Sequence, residues 1–192
     1  MKYETSFGST PLDPDEKSLL IPSHINTMEE LNAQEHANIF LAEKWAFTSK
    51  FDLSAQYTKK LHKKMFDRTW QWAGNFRKTE KNIGIDAYKI PTELTVLFQD
   101  TLFQMDQFSY GMDEIATRLH HRLVSIHPFP NGNGRHARLM TDLFLLKNGC
   151  PRFSWGSAEE RHPDNSIRKK YIEALRHADR YDITLLLTFV RS

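Results

Sequence analysis

The sequence predicts a mainly α-helical domain of about seven helices, with one short β-hairpin flap between the second and third. Three observations predict it. Apolar residues recur at three- and four-residue spacings, as in Tyr57, Leu61 and Met65, or Leu94, Leu97, Phe98 and Thr101. The ends of these stripes carry capping and stopping residues. Period-two alternation occurs in one place, where Ile83, Ile85 and Ala87 interleave with Gly84, Asp86 and Tyr88.

Residues 1–26 read as an irregular arm, because Pro11, Pro14 and Pro22 interrupt regular structure. Residues 27–192 read as one helical domain. Thr27 and Glu30 are spaced as a capping box and open the first helix. Phe40, Leu41, Trp45 and Phe47 follow at helical spacings. The second helix spans about Ser54 to Trp70, with Lys59, Lys60, Lys63 and Lys64 on a solvated face. Gly74-Asn75 breaks it. Pro91 suits the first turn of the third helix, whose stripe runs on through Leu102 and Met105. The fourth starts near Asp113, an expected N-cap, and buries Ile115, Leu119, Leu123 and Ile126. Pro128 should end it at His127. The fifth runs from Asn133 or Gly134 to Lys147. It is apolar on a wide arc (Leu139, Met140, Leu143, Phe144), so it should be central. Gly149 and Pro151 stop it. Residues 150–163 read as loop, 164–178 as a helix bearing Tyr171, and Asp182 as the cap of a last short helix.

Composition narrows the function classes. The chain has 192 residues, 40% of them hydrophobic, and a formal charge of +2. That supports one packed domain and gives no footprint for nucleic acid or an acidic membrane. Cys150 is the single cysteine, which excludes an internal disulfide and fits a reducing compartment. No apolar run approaches the ~20 residues of a membrane span. A cytoplasmic location is expected.

The chemistry concentrates in residues 127–138. His127 is a base close to a glycine-rich turn, Asn131-Gly132-Asn133-Gly134, that opens a helix. A helix N-terminus after such a turn is an anion site, since its free N–H groups and dipole favour negative charge. Arg135 and Arg138 are three apart and project from neighbouring positions. Their planar forks suit phosphate oxygens. The arrangement reads as a polyphosphate cradle with a general base beside it. A zinc cluster of His120, His121, His127 and His136 is the competing reading. It is disfavoured because no cysteine or carboxylate stands at a ligand spacing. His136 is expected at the pocket rim, and Tyr171 in the core rather than on a base.

The pattern His-x-Phe-x-x-Gly-Asn-Gly-Arg-x-x-Arg, filled by His127, Phe129, Gly132, Asn133, Gly134, Arg135 and Arg138, resembles the signature of the Fic/Doc family. Trp72-Ala73-Gly74-Asn75-Phe76-Arg77 and Ile83-Gly84 are similar to what precedes the target-positioning hairpin of Fic proteins. The Thr-x-x-Glu-Leu-Asn region beginning at Thr27 looks like the mobile mystery protein B subgroup. The resemblance implies a protein adenylyltransferase that moves AMP from ATP to a Ser, Thr or Tyr hydroxyl of a target protein, with a toxin–antitoxin pair as one setting for it. It implies His127 as the base. The backbone at Gly132–Gly134, the Asn133 side chain, Arg135 and Arg138 would hold phosphates. Ile83, Gly84, Ile85 and Tyr88 would lie in the segment that presents the target. ATP would be substrate and Mg²⁺ the metal. Partners would be a hydroxyl-bearing protein, an antitoxin chain or a second copy.

One motif position departs from the family. Asn131 stands where the family usually has Asp or Glu as a Mg²⁺ ligand, so Mg²⁺ would be held mainly through the phosphates. This leaves two alternatives: a catalytically weakened nucleotide-binding regulator, and a Doc-like phosphotransferase. Many Fic enzymes are held off by a glutamate that pairs with the second motif arginine, here Arg138. Glu30 is the nearest match, one residue out of place, and reads better as the capping-box residue. Glu35 is a second candidate.

Overall fold

In the computed structural model, residues 12–157 and 166–192 are described. Eight helices appear among them: α1 (Pro14–Ser18), α2 (Met28–Thr48), α3 (Ala55–Phe66), α4 (Ile90–Asp106), α5 (Met112–Ile126), α6 (Asn133–Lys147), α7 (Ser166–Ala178) and α8 (Thr184–Val190). The seven expected helices are α2 to α8. The eighth, α1, is a single turn within the arm that was read as irregular. It forms because Glu16 accepts the Asp13 N–H at 2.8 Å and Pro14 occupies the first turn. Residues 1–11, and the loop expected over 158–163, lie outside the described residues.

The caps explain most boundaries. At the start of α2, Thr27 Oγ1 accepts from Glu30 N at 3.2 Å, and Glu30 Oε2 accepts from Thr27 N at 3.0 Å and Asn26 N at 2.6 Å. At α3, Ser54 accepts from Tyr57 N. The α5 boundary corrects the expectation. Gly111 is the N-cap, while Asp113 lies inside the first turn and pairs with Arg191.

Helix α6 is central, as its wide apolar arc requires. Met140, Phe144 and Leu145 are fully buried, and α6 packs on α2, α3 and α5. Helix α4 covers α5 through Leu94, Leu97 and Phe98. Leu102 falls off that face and is exposed, as are Phe40, Leu41 and Phe47 on α2. Helices α7 and α8 pack on each other, and α8 also meets α5.

The expected β-hairpin flap is not formed. Among the described residues there is no strand, only an isolated antiparallel bridge between Leu20 and Trp70. Residues 79–86 form bends, and Ala87–Lys89 is a turn of 3₁₀ helix. Arg77 is the physical reason. Its buried guanidinium takes the carbonyls a hairpin ladder would use, donating to Thr79 O at 2.9 Å and to Ile85 O. Glu80 fixes the following turn by accepting from Ala87 N. The Lys81 side chain is buried against Asp13 Oδ2 at 2.8 Å and Glu16 Oε2 at 2.5 Å. It ties the loop to the N-terminal arm.

Candidate active site

His127 is placed by the end of α5. It takes a left-handed conformation, φ 53° and ψ 60°, at the helix C-cap. A non-glycine residue adopts this only when its surroundings compensate. Arg77 compensates: its Nε donates to His127 O at 2.7 Å, its Nη2 reaches Ile126 O, and its backbone N–H donates to Pro128 O at 2.9 Å. With Thr79 and Ile85 the guanidinium makes four hydrogen bonds, and the Glu80 carboxylate lies 3.5 Å from Nη1 as an ion pair. Arg77 was not among the candidate site residues. Its sequence signal is weak, since an arginine three residues after a glycine turn reads as surface.

The His127 side chain is 5% exposed. Burial, then the Arg77 charge, push its pKa down to about 4. At neutral pH the imidazole is therefore unprotonated, the form a general base needs. The bent loop passes directly over it. Gly84 has φ +103°, and a Cβ there would come within 2.8 Å of both His127 Cβ and Arg77 Nη2. Gly84 is thus demanded by close approach. Of the predicted target-positioning residues, Gly84 lies against His127, Ile85 offers its carbonyl to Arg77, and Ile83 and Tyr88 are exposed.

The anion loop follows at once. Gly132, φ +77°, is the N-cap of α6, and a Cβ there would sit 2.5 Å from Phe66 Cζ. Asn133 closes the loop on Phe129: its Oδ1 accepts Phe129 N at 2.9 Å and its Nδ2 donates to Phe129 O at 2.8 Å. The buried Asn133 carboxamide therefore shapes the loop. Gly134 differs from Gly132. The nearest atom to a Cβ there is Tyr171 Oη, at 3.9 Å. The protein leaves that space open beside free N–H groups. Gly132→Ala is accordingly expected to lower the melting temperature by several degrees, whereas Gly134→Ala should melt like the parent and lose nucleotide affinity. Thermal melts and ATP titrations check both.

His62, also outside the expected set, holds the loop from below. Its Nδ1 accepts Gly74 N at 2.9 Å, so Nε2–H donates to Asn131 O at 3.1 Å. Its ring stacks on Phe129 at 3.6 Å. Thr58, His62 and Phe66 form a second buried stripe on α3 beside Tyr57, Leu61 and Met65. A histidine within such a double stripe is the signal that could have found it.

The two arginines are not equivalent. Arg135 Nη1 donates to Glu35 Oε2 at 2.6 Å, and its guanidinium lies over the Phe66 ring. Glu35 Oε1 accepts from Trp70 Nε1 at 2.7 Å. Arg138 lies over the Tyr171 ring at 5.0 Å, and no ion pair is recorded for it among the described residues. Glu30, the nearest match to an inhibitory glutamate, serves the α2 capping box, which was its better reading. Glu35 reaches the first arginine, not Arg138.

Asn131 Oδ1 accepts the Gly132 N–H at 2.5 Å. Among the described residues no three His, Cys, Asp or Glu side chains converge as a metal site. One neutral, already bonded oxygen is a poor Mg²⁺ ligand by itself, so the described residues offer no protein-built Mg²⁺ site, and the expectation that Mg²⁺ is held mainly through the phosphates stands as it was. The four histidines of the zinc reading diverge. His120 meets Tyr171, His121 meets Asp179, and His136 bonds Thr58 O. His136 is buried rather than at a rim, and Tyr171 is core as expected.

No helix among the described residues is long and apolar enough to cross a membrane. Comparison with known proteins agrees with the geometry. Residues 52–145 match the family model Fic/DOC. Protein adenylyltransferase Fic from Aedes aegypti is 30% identical over 120 residues, 61% of this chain and 22% of that protein. The chain thus spans less than a quarter of that relative's length. The fold is similar to Fic-1 from C. elegans, with a TM-score of 0.70 and 22% identity, covering 92% of this chain and 51% of that one. It is also similar to the N-terminal Fic domain of a Bartonella quintana protein with bound ADP, with a TM-score of 0.63 and 17% identity, covering 88% of this chain and 86% of that one. The Fic/DOC family match thus spans residues 52–145, just under half of the chain.

Proposed function

We propose that the chain is a protein adenylyltransferase that transfers AMP from ATP to a Ser, Thr or Tyr hydroxyl of a target protein. The observation that carries this is the neutral, buried His127 held between a bent loop and an open helix N-terminus flanked by arginines. His127 accepts the hydroxyl proton as the oxygen attacks the α-phosphorus. The bond from that phosphorus to the bridging oxygen breaks, and pyrophosphate leaves. The N–H groups at Gly132–Gly134 and the Arg138 cation stabilise the charge that develops. The loop at Ile83–Tyr88 presents the target chain, with exposed Ile83 and Tyr88 as its contacts. The name of the Aedes aegypti relative and the ADP in the Bartonella quintana domain support the nucleotide assignment. In this reading the protein acts in the cytoplasm, near the mobile mystery protein B subgroup. Exposed Phe40, Leu41 and Phe47 on α2 supply the surface that an antitoxin chain or second copy would cover.

Asn131 favours a second reading, a nucleotide-binding regulator with weakened catalysis, because its amide brings no charge and is bonded to Gly132. Incubation with α-labelled or γ-labelled ATP separates the readings. His127-dependent transfer of α-label supports the first. Binding without transfer supports the second, and transfer of γ-label alone would mark a Doc-like phosphotransferase. Asn131→Asp is expected to raise transfer and lower the Mg²⁺ concentration required. An unchanged Mg²⁺ dependence removes Asn131 from metal binding.

A further inference from the structure

A third arginine approaches the anion loop from a different element. Arg168 lies in the first turn of α7, three residues before Tyr171, so the two share a helix face. Tyr171 is fixed on that face: its hydroxyl bonds His120 Nε2 at 2.9 Å and stands 3.9 Å from where a Gly134 Cβ would be. The Arg138 guanidinium lies over the Tyr171 ring. Arg168 thus stands about one turn of helix, ~5 Å, from the ring that supports Arg138. It is exposed to solvent, and among the described residues no carboxylate pairs with it. Partial burial and the nearby charges of Arg138 and Arg135 hold its pKa below the usual guanidinium range.

Three like charges gathered at one spot repel one another, and the fold relieves only one of them. Glu35 neutralises Arg135, and among the described residues no carboxylate pairs with Arg138 or Arg168, whose charges lie close to each other beside Tyr171. Such a cluster is stabilised when a polyanion enters. We propose that Arg168 is a phosphate-binding residue that, together with Arg138, grips the terminal phosphates of a nucleoside triphosphate and so selects triphosphate over monophosphate. This deepens the adenylyltransferase reading and rests on it for the identity of the ligand. The role of Glu35 follows: it fixes Arg135 as part of the loop wall and leaves the outer phosphates to Arg138 and Arg168.

The test is equilibrium titration of the 192-residue chain with ATP and with AMP, comparing parent, Arg168→Ala and Arg168→Lys. Arg168→Ala is expected to weaken ATP binding ~10-fold, the usual loss for one charge-assisted contact, and AMP binding less than ~2-fold. Arg168→Lys should recover part of the ATP affinity, since the charge returns without the fork. The melting temperature of Arg168→Ala should equal or exceed the parent's, because a like charge has been removed. Equal weakening toward both nucleotides overturns the proposal, as does unchanged ATP affinity, or a parent that binds ATP no better than AMP. Because the readout is binding, a parent chain that binds ATP through Arg168 yet transfers no AMP would sink the adenylyltransferase reading and leave this one standing.

Discussion

Replacing His127 with alanine is expected to lower transfer of label from α-labelled ATP by ~10²–10⁴-fold, the usual contribution of a positioned base. ATP affinity should stay within about twofold, because His127 precedes the phosphate loop and carries no charge at neutral pH. The pH profile gives a second reading of the same group. With its pKa pushed down to about 4 by burial and Arg77, His127 is already deprotonated throughout pH 5.5–8. Its contribution to kcat/KM should be flat across that range and fall only as pH nears 4. A profile that instead rises steeply between pH 6 and 7 would mean that the imidazole titrates as in water and that the loop over it is open in solution. Unchanged transfer by His127→Ala would remove it as the base.

Acid should unfold this domain more readily than its near-neutral formal charge suggests. His62, His120, His127 and His136 are all buried and all have pKa values lowered by desolvation, His120 to about 3 and His127 and His136 to about 4. Between these values and the ordinary 6.5, the unfolded chain binds protons that the native chain refuses. Stability is therefore complete above about pH 6.5, falls as pH drops toward 4, and levels off below. Each such histidine contributes up to about 1.4 kcal/mol per pH unit in that window, so His120, His127 and His136 together reach at most about 4 kcal/mol per unit. Against a typical domain stability of about 5–15 kcal/mol, that is a large share of the margin that keeps the protein folded. Asp142 works in the opposite direction, because burial raises its pKa, and it blunts the lower end of the fall. Urea midpoints from pH 7.5 to 4.5 measure the slope. A midpoint that does not move over that range would show that these histidines are hydrated in solution.

The helices were legible because their signals are local. Thr27 with Glu30, Ser54, Pro128 and the run from Asn133 to Lys147 each announce a boundary within four residues. So does the motif, whose twelve residues bring base, loop and arginines together along the chain without help from the fold. The flap was misread because Ile83, Ile85 and Ala87 alternate as a strand does, whereas the segment is organised by a guanidinium eight residues away from Ile85 and fifty away from His127. No periodicity reports such a partner. His62 and Lys81 were passed over for the same reason: each looks like a polar surface residue until a contact from another element buries it. Asn133 shows the reverse. Its place in the motif was legible, whereas its bonds to Phe129 are revealed only by the folded loop.

The clasp between Lys81 and the arm bears on how the loop above His127 keeps its shape. Lys81 is 3% exposed at its side chain and joins Asp13 and Glu16 across more than sixty residues of sequence. Trp72 Nε1 donates to Glu16 O, and Leu19 and Ile21 exchange backbone bonds with Gln71 and Thr69. The arm is thus a fastening strip along the edge of the site. A protease cut near residue 20 would strip Lys81 of both counter-ions, and the bend over the imidazole would then rest on Arg77 and Glu80 without that fastening.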